Sequence, residues 1–88
     1  MKIQILGAGC SKCSRAGQIM KETAIQLGLI EGKDFEFEKV TSIQEMAKYR
    51  VMFTPGIVIN GKVVMTGKVP SQAEAMRCIN NARAEEMK

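Results

Sequence analysis

At 88 residues, with 45% hydrophobic and 25% charged residues, the chain has the size and composition of one small globular domain over residues 1–88. It has no apolar stretch long enough to cross a membrane, and no separate leader precedes the first strand, so we expect a cytoplasmic protein. The net charge of +4 is spread among acidic residues and the aromatic residues are few, which argues against nucleic-acid binding.

Hydrophobic periodicity and turn residues predict seven elements in the order β-α-β-α-β-β-α. The predicted strands cover residues 2–6, 35–40, 56–59 and 62–65, and the predicted helices cover about 11–27, 42–49 and 71–83. Gly28 is placed to cap the first helix, and Ser42 with Glu45 and Ser71 with Glu74 form capping boxes at the starts of the other two. Residues 84–88 are expected to fray.

The connections predict the topology. Two strands joined through a helix are expected to be parallel, whereas Asn60-Gly61 is a strong hairpin signal and predicts an antiparallel pair. The chain is therefore predicted to form an α/β domain, with a mixed four-stranded sheet and helices on both faces.

Two cysteines lie where the first strand passes into the first helix. Cys10 is predicted at or just before the first turn, where free N–H groups and the helix dipole favour a thiolate over a thiol. Cysteines at such positions have a pKa of ~3.5–7.5 instead of ~8.5. Cys13 is predicted one turn further in and more buried, and Lys12 adds an exposed positive charge. We therefore assign Cys10 as the attacking nucleophile and Cys13 as the resolving thiol of a redox-active pair.

Metal binding is the alternative use of this pair. A structural zinc site needs four ligands, but the chain has no His and only Cys78 as a third thiol, which is predicted on the apolar face of the last helix. Two thiolates also suit Cu(I), and copper-handling domains of ferredoxin-like fold place the same pair before a first helix. That fold has the order β-α-β-β-α-β, which the predicted elements do not match. We expect no bound metal or other cofactor.

The chain resembles the thioredoxin fold in its short form in three features taken together: the element order, the Cys10-Ser11-Lys12-Cys13 motif, and Thr54-Pro55 before the third strand. The closest resemblance is to small prokaryotic thioredoxin-like or glutaredoxin-like redox-active disulfide proteins, and it covers residues 2 to about 83. It implies a disulfide reductase active in electron transport and cell redox homeostasis. It also implies a cis Thr54–Pro55 peptide facing the cysteines, with Thr54 contacting the substrate.

The resemblance also indicates the docking residues and partners. Gly7, Ala8 and Gly9 are expected to keep the approach to Cys10 open, and Gly67 to leave room beside the groove. Independently of the resemblance, we assign Tyr49 and the Phe residues to packing alone. The expected partners are disulfide-containing proteins and a flavoprotein reductase of the thioredoxin-reductase type, and we expect a monomer. Glutathione is less favoured because residues 67–71 lack the second Gly and the Asp of glutaredoxins. The predicted substrate-binding residues are Gly9, Ser11, Lys12, Thr54, Pro55 and Gly67.

Overall fold

The computed structural model describes residues 1–7, 11–51 and 53–86. Its elements are β1 (Lys2–Leu6), α1 (Ser11–Gln26), β2 (Glu36–Val40), α2 (Ile43–Lys48), β3 (Gly56–Ile59), β4 (Lys62–Thr66) and α3 (Gln72–Glu86). The predicted order is confirmed, and it differs from the ferredoxin-like order of the copper-handling alternative. Within the described ranges, no helix is both long and apolar enough to span a membrane.

The four strands form one mixed sheet in the order β2-β1-β3-β4. β1 is interior, parallel to β2 and antiparallel to β3, and β3 pairs with β4 as the predicted hairpin. The hairpin turn has positive φ at both Asn60 (54°) and Gly61 (81°), the backbone that the twist of a two-residue hairpin favours. The Asn60 Oδ1 also accepts a hydrogen bond from the Lys2 amide at 2.9 Å, which joins the turn to β1.

Each face of the sheet carries its own apolar layer, because side chains alternate along a strand. On one face, Ile3 and Ile5 of β1 pack with Met20 of α1 and Ile79 of α3. On the other face, a smaller cluster of Leu6, Val40 and Val58 is covered in part by Met46 and Tyr49, from α2 and its C-terminal end. Helices therefore cover both faces, as predicted.

One polar group is buried in the smaller layer. Gln4 is 6% exposed, and its side chain is satisfied at both ends. Its Nε2 donates to Glu38 Oε1 at 3.0 Å, and its Oε1 accepts from the Tyr49 hydroxyl at 3.1 Å. These bonds link β1, β2 and the end of α2 and offset the cost of burying an amide.

Two helix ends follow the predicted caps in full, whereas at α2 only the Glu45 N to Ser42 Oγ bond of the predicted capping box is present among the described contacts, at 3.5 Å, and the Glu45 carboxylate contacts Lys48. After α1, Leu29 N donates to Ala24 O and Gly28 N to Ile25 O, both at 3.0 Å, the paired bonds of a Schellman cap. At α3, Ser71 Oγ accepts from Glu74 N and a Glu74 carboxylate oxygen accepts from Ser71 N, both at 3.1 Å, which completes the predicted capping box.

The C-terminal end of α3 differs from the prediction. The helix continues through Glu86, so the expected fraying is wrong for residues 84–86, and residues 87–88 lie outside the described residues. Two ion pairs join the last turn of α3 to the end of the sheet where β1 and β4 begin. Lys62 Nζ lies 3.4 Å from Glu85 Oε1, and the amino terminus lies 3.5 Å from Glu86 Oε1. The buried Ala82 packs the turn before them against the core.

Candidate active site

The candidate site lies where β1 ends and α1 begins. The amide of Gly7 donates to Val40 O at 3.0 Å, which extends the β1–β2 pairing to the last residue before the site. Cys13 is the third residue of α1 and is 6% exposed, and the first turn of the helix contains no acidic residue. The N–H groups and dipole of that turn therefore face the site without an opposing carboxylate of their own. The predicted nucleophile Cys10, with Ala8 and Gly9, lies outside the described residues.

Gly7 lies between Cys13, the predicted resolving cysteine, and the predicted docking residue Thr54. A Cβ placed on Gly7 would overlap Cys13 Sγ and would lie 3.4 Å from Thr54 Cβ. Gly7 therefore packs against Cys13 so closely that only a residue without a side chain fits there, and Thr54 lies on the other side of the same space. The Thr54–Pro55 peptide is cis, as the resemblance implies, and Pro55 is buried while Thr54 is exposed.

A cavity of about 390 Å³ opens beside the first turn of α1. Of the predicted site residues, Ser11 and Cys13 line it, whereas Lys12 is exposed and does not. The cavity also includes Lys39 and Thr41, which the sequence analysis missed. The predicted parallel pairing of β1 and β2 could have identified them, because the C-terminal ends of two parallel neighbouring strands lie side by side. The full lining is Ile5, Gly7, Ser11, Cys13, Ser14, Lys39 and Thr41.

The predicted docking residues Thr54 and Gly67 lie next to an exposed aromatic ring. Gly67 has φ of 81°, its amide donates to Pro55 O at 3.0 Å, and a Cβ on it would lie 3.3 Å from Phe53 Cβ. Phe53 is 68% exposed, so its assignment to packing is wrong. The segment 53–55 and Gly67 thus form a surface with an apolar ring and an exposed backbone bend.

Cys78 lies apart from the candidate site. It is half-buried in a separate groove between β4 and α3, and burial raises the pKa of its thiol. Its predicted place on the packed face of the last helix is confirmed. In the part of the chain that the structure describes, no three Cys, Asp or Glu side chains cluster as metal ligands would.

The sheet order, the helix that carries Cys13 and the cis Thr54–Pro55 peptide define a small α/β protein of thioredoxin-like fold. Comparison with known proteins agrees. A family model described as a thioredoxin domain matches residues 1–80. A thioredoxin of Methanocaldococcus jannaschii is 38% identical over 72 residues, covering 82% of this chain and 78% of that protein. A thioredoxin of Methanothermobacter thermautotrophicus is 30% identical over 80 residues, which cover 91% of this chain and 99% of that protein. The chain belongs to the thioredoxin family, and membership supports a thiol–disulfide oxidoreductase in general terms.

Proposed function

We propose that the chain reduces disulfides in partner proteins through Cys10 and Cys13. The Cys10 thiolate attacks one sulfur of the substrate disulfide, a mixed disulfide forms, and the other substrate sulfur leaves as a thiolate that takes up a proton. Cys13 then loses its proton and attacks the Cys10 sulfur. This step releases the second substrate thiol and leaves a Cys10–Cys13 disulfide, so two electrons pass to the substrate in each cycle.

The position of Cys13 is the observation that carries this proposal. Its side chain lies in the first turn of α1, against Gly7, and a Cβ on Gly7 would also reach Thr54 of the cis peptide at 3.4 Å. Cys13 is only 6% exposed yet lines the open cavity, a placement that suits the more buried, resolving member of the proposed cysteine pair. Phe53, Thr54 and Gly67 supply an adjoining surface for an extended substrate segment, with the Phe53 ring as its apolar contact.

Replacement of each cysteine by serine tests the mechanism. Cys10→Ser is expected to abolish reduction of insulin disulfides in the presence of dithiothreitol, because the attacking thiolate is lost. Cys13→Ser is expected to retain the first step and accumulate a mixed disulfide with the substrate, visible by mass spectrometry. Cys78→Ser is the matched control and is expected to retain full activity. Full activity of Cys10→Ser would contradict the proposal.

The electron donor is part of the proposal. We propose that a cytoplasmic flavoprotein of the thioredoxin-reductase type, and not glutathione, returns the Cys10–Cys13 disulfide to the dithiol, and that no other cofactor is needed. The measurement is NADPH consumption with each reducing system in turn. Faster reduction by glutathione and glutathione reductase would contradict the choice of donor.

A redox titration on metal-free protein separates this function from metal carriage. Alkylation and mass analysis across a series of dithiol buffers are expected to show one two-electron transition confined to Cys10 and Cys13. Stoichiometric copper or zinc in protein purified under reducing conditions, together with failure to form the internal disulfide, would support the metal-binding alternative instead.

A further inference from the structure

A second cavity continues from the candidate active site along α1. Its volume is about 350 Å³, and it shares Ser14 and Lys39 with the cavity beside Cys13. The two together form one groove, which we call the α1–β2 groove, running from the first turn of α1 toward the middle of the helix. Its second half is lined by Ser14, Gly17, Gln18, Lys21, Phe37 and Lys39.

The groove exists because β2 is an edge strand. Phe37 and Lys39 are two residues apart, so both side chains lie on the face of the sheet that α1 covers, and within the described residues no further strand pairs with the outer edge of β2. Gly17 allows α1 to approach the half-buried Phe37 ring, since a Cβ there would lie 2.9 Å from Phe37 Cζ. An apolar ring thus lines the far half, while Cys13 and Ser11 line the near half.

Two lysines, Lys21 and Lys39, give the groove a positive charge, and among the described residues only one of them is paired with a carboxylate. Lys21 has partners, since its Nζ lies 3.0 Å from Glu31 Oε1 and 5.7 Å from the centroid of the Phe37 ring. Lys39, at the junction of the two cavities, is exposed and makes no ion pair with any carboxylate among residues 1–7, 11–51 and 53–86. No described Asp or Glu lines either cavity.

The nearest acidic side chain of the strand is turned away from the groove. Glu38 follows the alternation of β2 and lies on the α2 face, where it accepts from Gln4 Nε2 at 3.0 Å and lies 3.8 Å from Lys2 Nζ. Lys39 therefore presents its charge to whatever enters the groove. The group that complements it is a carboxylate.

We propose that Lys39 determines substrate specificity by binding an Asp or Glu side chain of the disulfide-bearing protein segment. This inference rests on the proposed function and names the substrate class: disulfides whose flanking residues are acidic. The part of the segment on one side of the disulfide extends along the α1–β2 groove, while the part on the other side lies on the surface of Phe53, Thr54 and Gly67. Its carboxylate lies at Lys39, and the hydroxyls of Ser11 and Ser14 are available as hydrogen-bond donors. Because the contact forms on docking, it lowers KM and leaves kcat unchanged.

The test uses three short disulfide peptides that differ only in the residues flanking the cysteines, which are Glu, Gln or Lys. For the native chain we expect kcat/KM to be about twofold to fivefold higher for the Glu peptide than for the Gln peptide, in the range of one exposed charge pair. Added salt is expected to reduce this preference. Lys39→Gln is expected to abolish it, Lys39→Glu to favour the Lys peptide, and Lys39→Arg to retain it.

Lys33→Gln is the matched control. Lys33 is also exposed and also lacks an ion pair within the described residues, but it lies before β2 and outside both cavities. This variant is expected to retain the preference. Thermal unfolding of each variant confirms that a change in specificity is measured on folded protein.

The outcomes separate this inference from the proposed function. Equal kcat/KM for the three peptides, with all of them reduced, overturns the role of Lys39 and leaves the reductase function intact. An unchanged preference in Lys39→Gln also overturns it. Failure to reduce any peptide overturns the proposed function and this inference together.

Discussion

At the scale of single residues, the candidate site depends on a glycine, Gly7, at a position where no side chain fits. Gly7 lies so close to Cys13 that any Cβ would overlap the Sγ atom, whereas the same Cβ would meet Thr54 Cβ at an ordinary contact distance of 3.4 Å. Both neighbours are themselves held, Cys13 by its helix and Thr54 by the buried Pro55 that follows it. Because the atoms here are closely packed, adding even one carbon atom is expected to shift the neighbouring side chains.

Gly7→Ala is therefore expected to reduce the proposed disulfide reductase activity by at least about tenfold, since in the proposed mechanism a displaced Cys13 resolves the mixed disulfide more slowly. It is also expected to lower the free energy of unfolding by about 1–3 kcal/mol through overpacking. The measurements are insulin reduction and urea denaturation of the same preparation.

Gly32→Ala is the comparison for this change. A Cβ at Gly32 meets nothing within 4 Å, but its φ of 86° disfavours a side chain, so the substitution costs stability without touching the site. It is expected to keep normal activity. An equal loss of activity in both variants would show that the effect of Gly7→Ala is one of general destabilisation.

At the scale of elements, the start of α3 combines a cap with an ion pair. The Glu74 carboxylate accepts from Ser71 N at 3.1 Å and from Lys68 Nζ at 2.6 Å. The Lys68 hydrogen bond first, and the Ser71 backbone hydrogen bond second, lower the pKa of Glu74 from 4.5 to about 2. The charged form of Glu74 is thus favoured in the folded chain, at the helix end where a negative charge also suits the dipole.

This shift predicts a pH dependence of stability. Because the pKa is depressed on folding, the contribution of Glu74 is present above pH 4.5 and is lost as the pH falls toward about 2. Glu74→Gln is expected to flatten the decrease in unfolding free energy over that interval, and Lys68→Gln to flatten it in part. Denaturant unfolding at a series of pH values measures this free energy. If its decrease with falling pH is as steep in Glu74→Gln as in the native chain, Glu74 is not its source.

At the scale of the whole molecule, two apolar layers share one sheet. The larger layer joins the sheet to α1 and α3, and the smaller joins it to α2, while β1 contributes alternate residues to each. Ile79 and Leu6, one in each layer, are both fully buried. Since every layer uses the same strands, loss of packing on one face is expected to weaken the other.

Ile79→Ala and Leu6→Ala are each expected to lower the free energy of unfolding by about 2–5 kcal/mol. Each variant is expected to unfold in a single transition. Circular dichroism follows the helices, and fluorescence of Tyr49, the only Tyr, follows the α2 face. Coincident midpoints are expected in both variants. A Tyr49 transition that stays in place when Ile79→Ala shifts the helix signal would show that the faces unfold separately.

The element order and several of the local details could be predicted from the sequence, because short-range interactions determine them. The face of α1 containing Ala16, Met20 and Ala24 is buried, Gly28 and Ser71 form the predicted caps, and Asn60-Gly61 forms the predicted turn. Each of these features depends on residues a few positions apart, so the pattern itself carries the information. Parallel pairing of the first two strands followed from the helix between them.

The tertiary structure alone decided which distant residues meet. The register that sets Ile5 opposite Lys39 brings a lysine to the cavity of Cys13, although 26 positions separate Cys13 and Lys39 in the sequence. Lys62 and the amino terminus meet the last turn of α3, which continues to Glu86, and the fold leaves Phe53 exposed beside the cis peptide. Registers and exposures of this kind depend on the packing of elements far apart in the chain, and no local pattern encodes that packing.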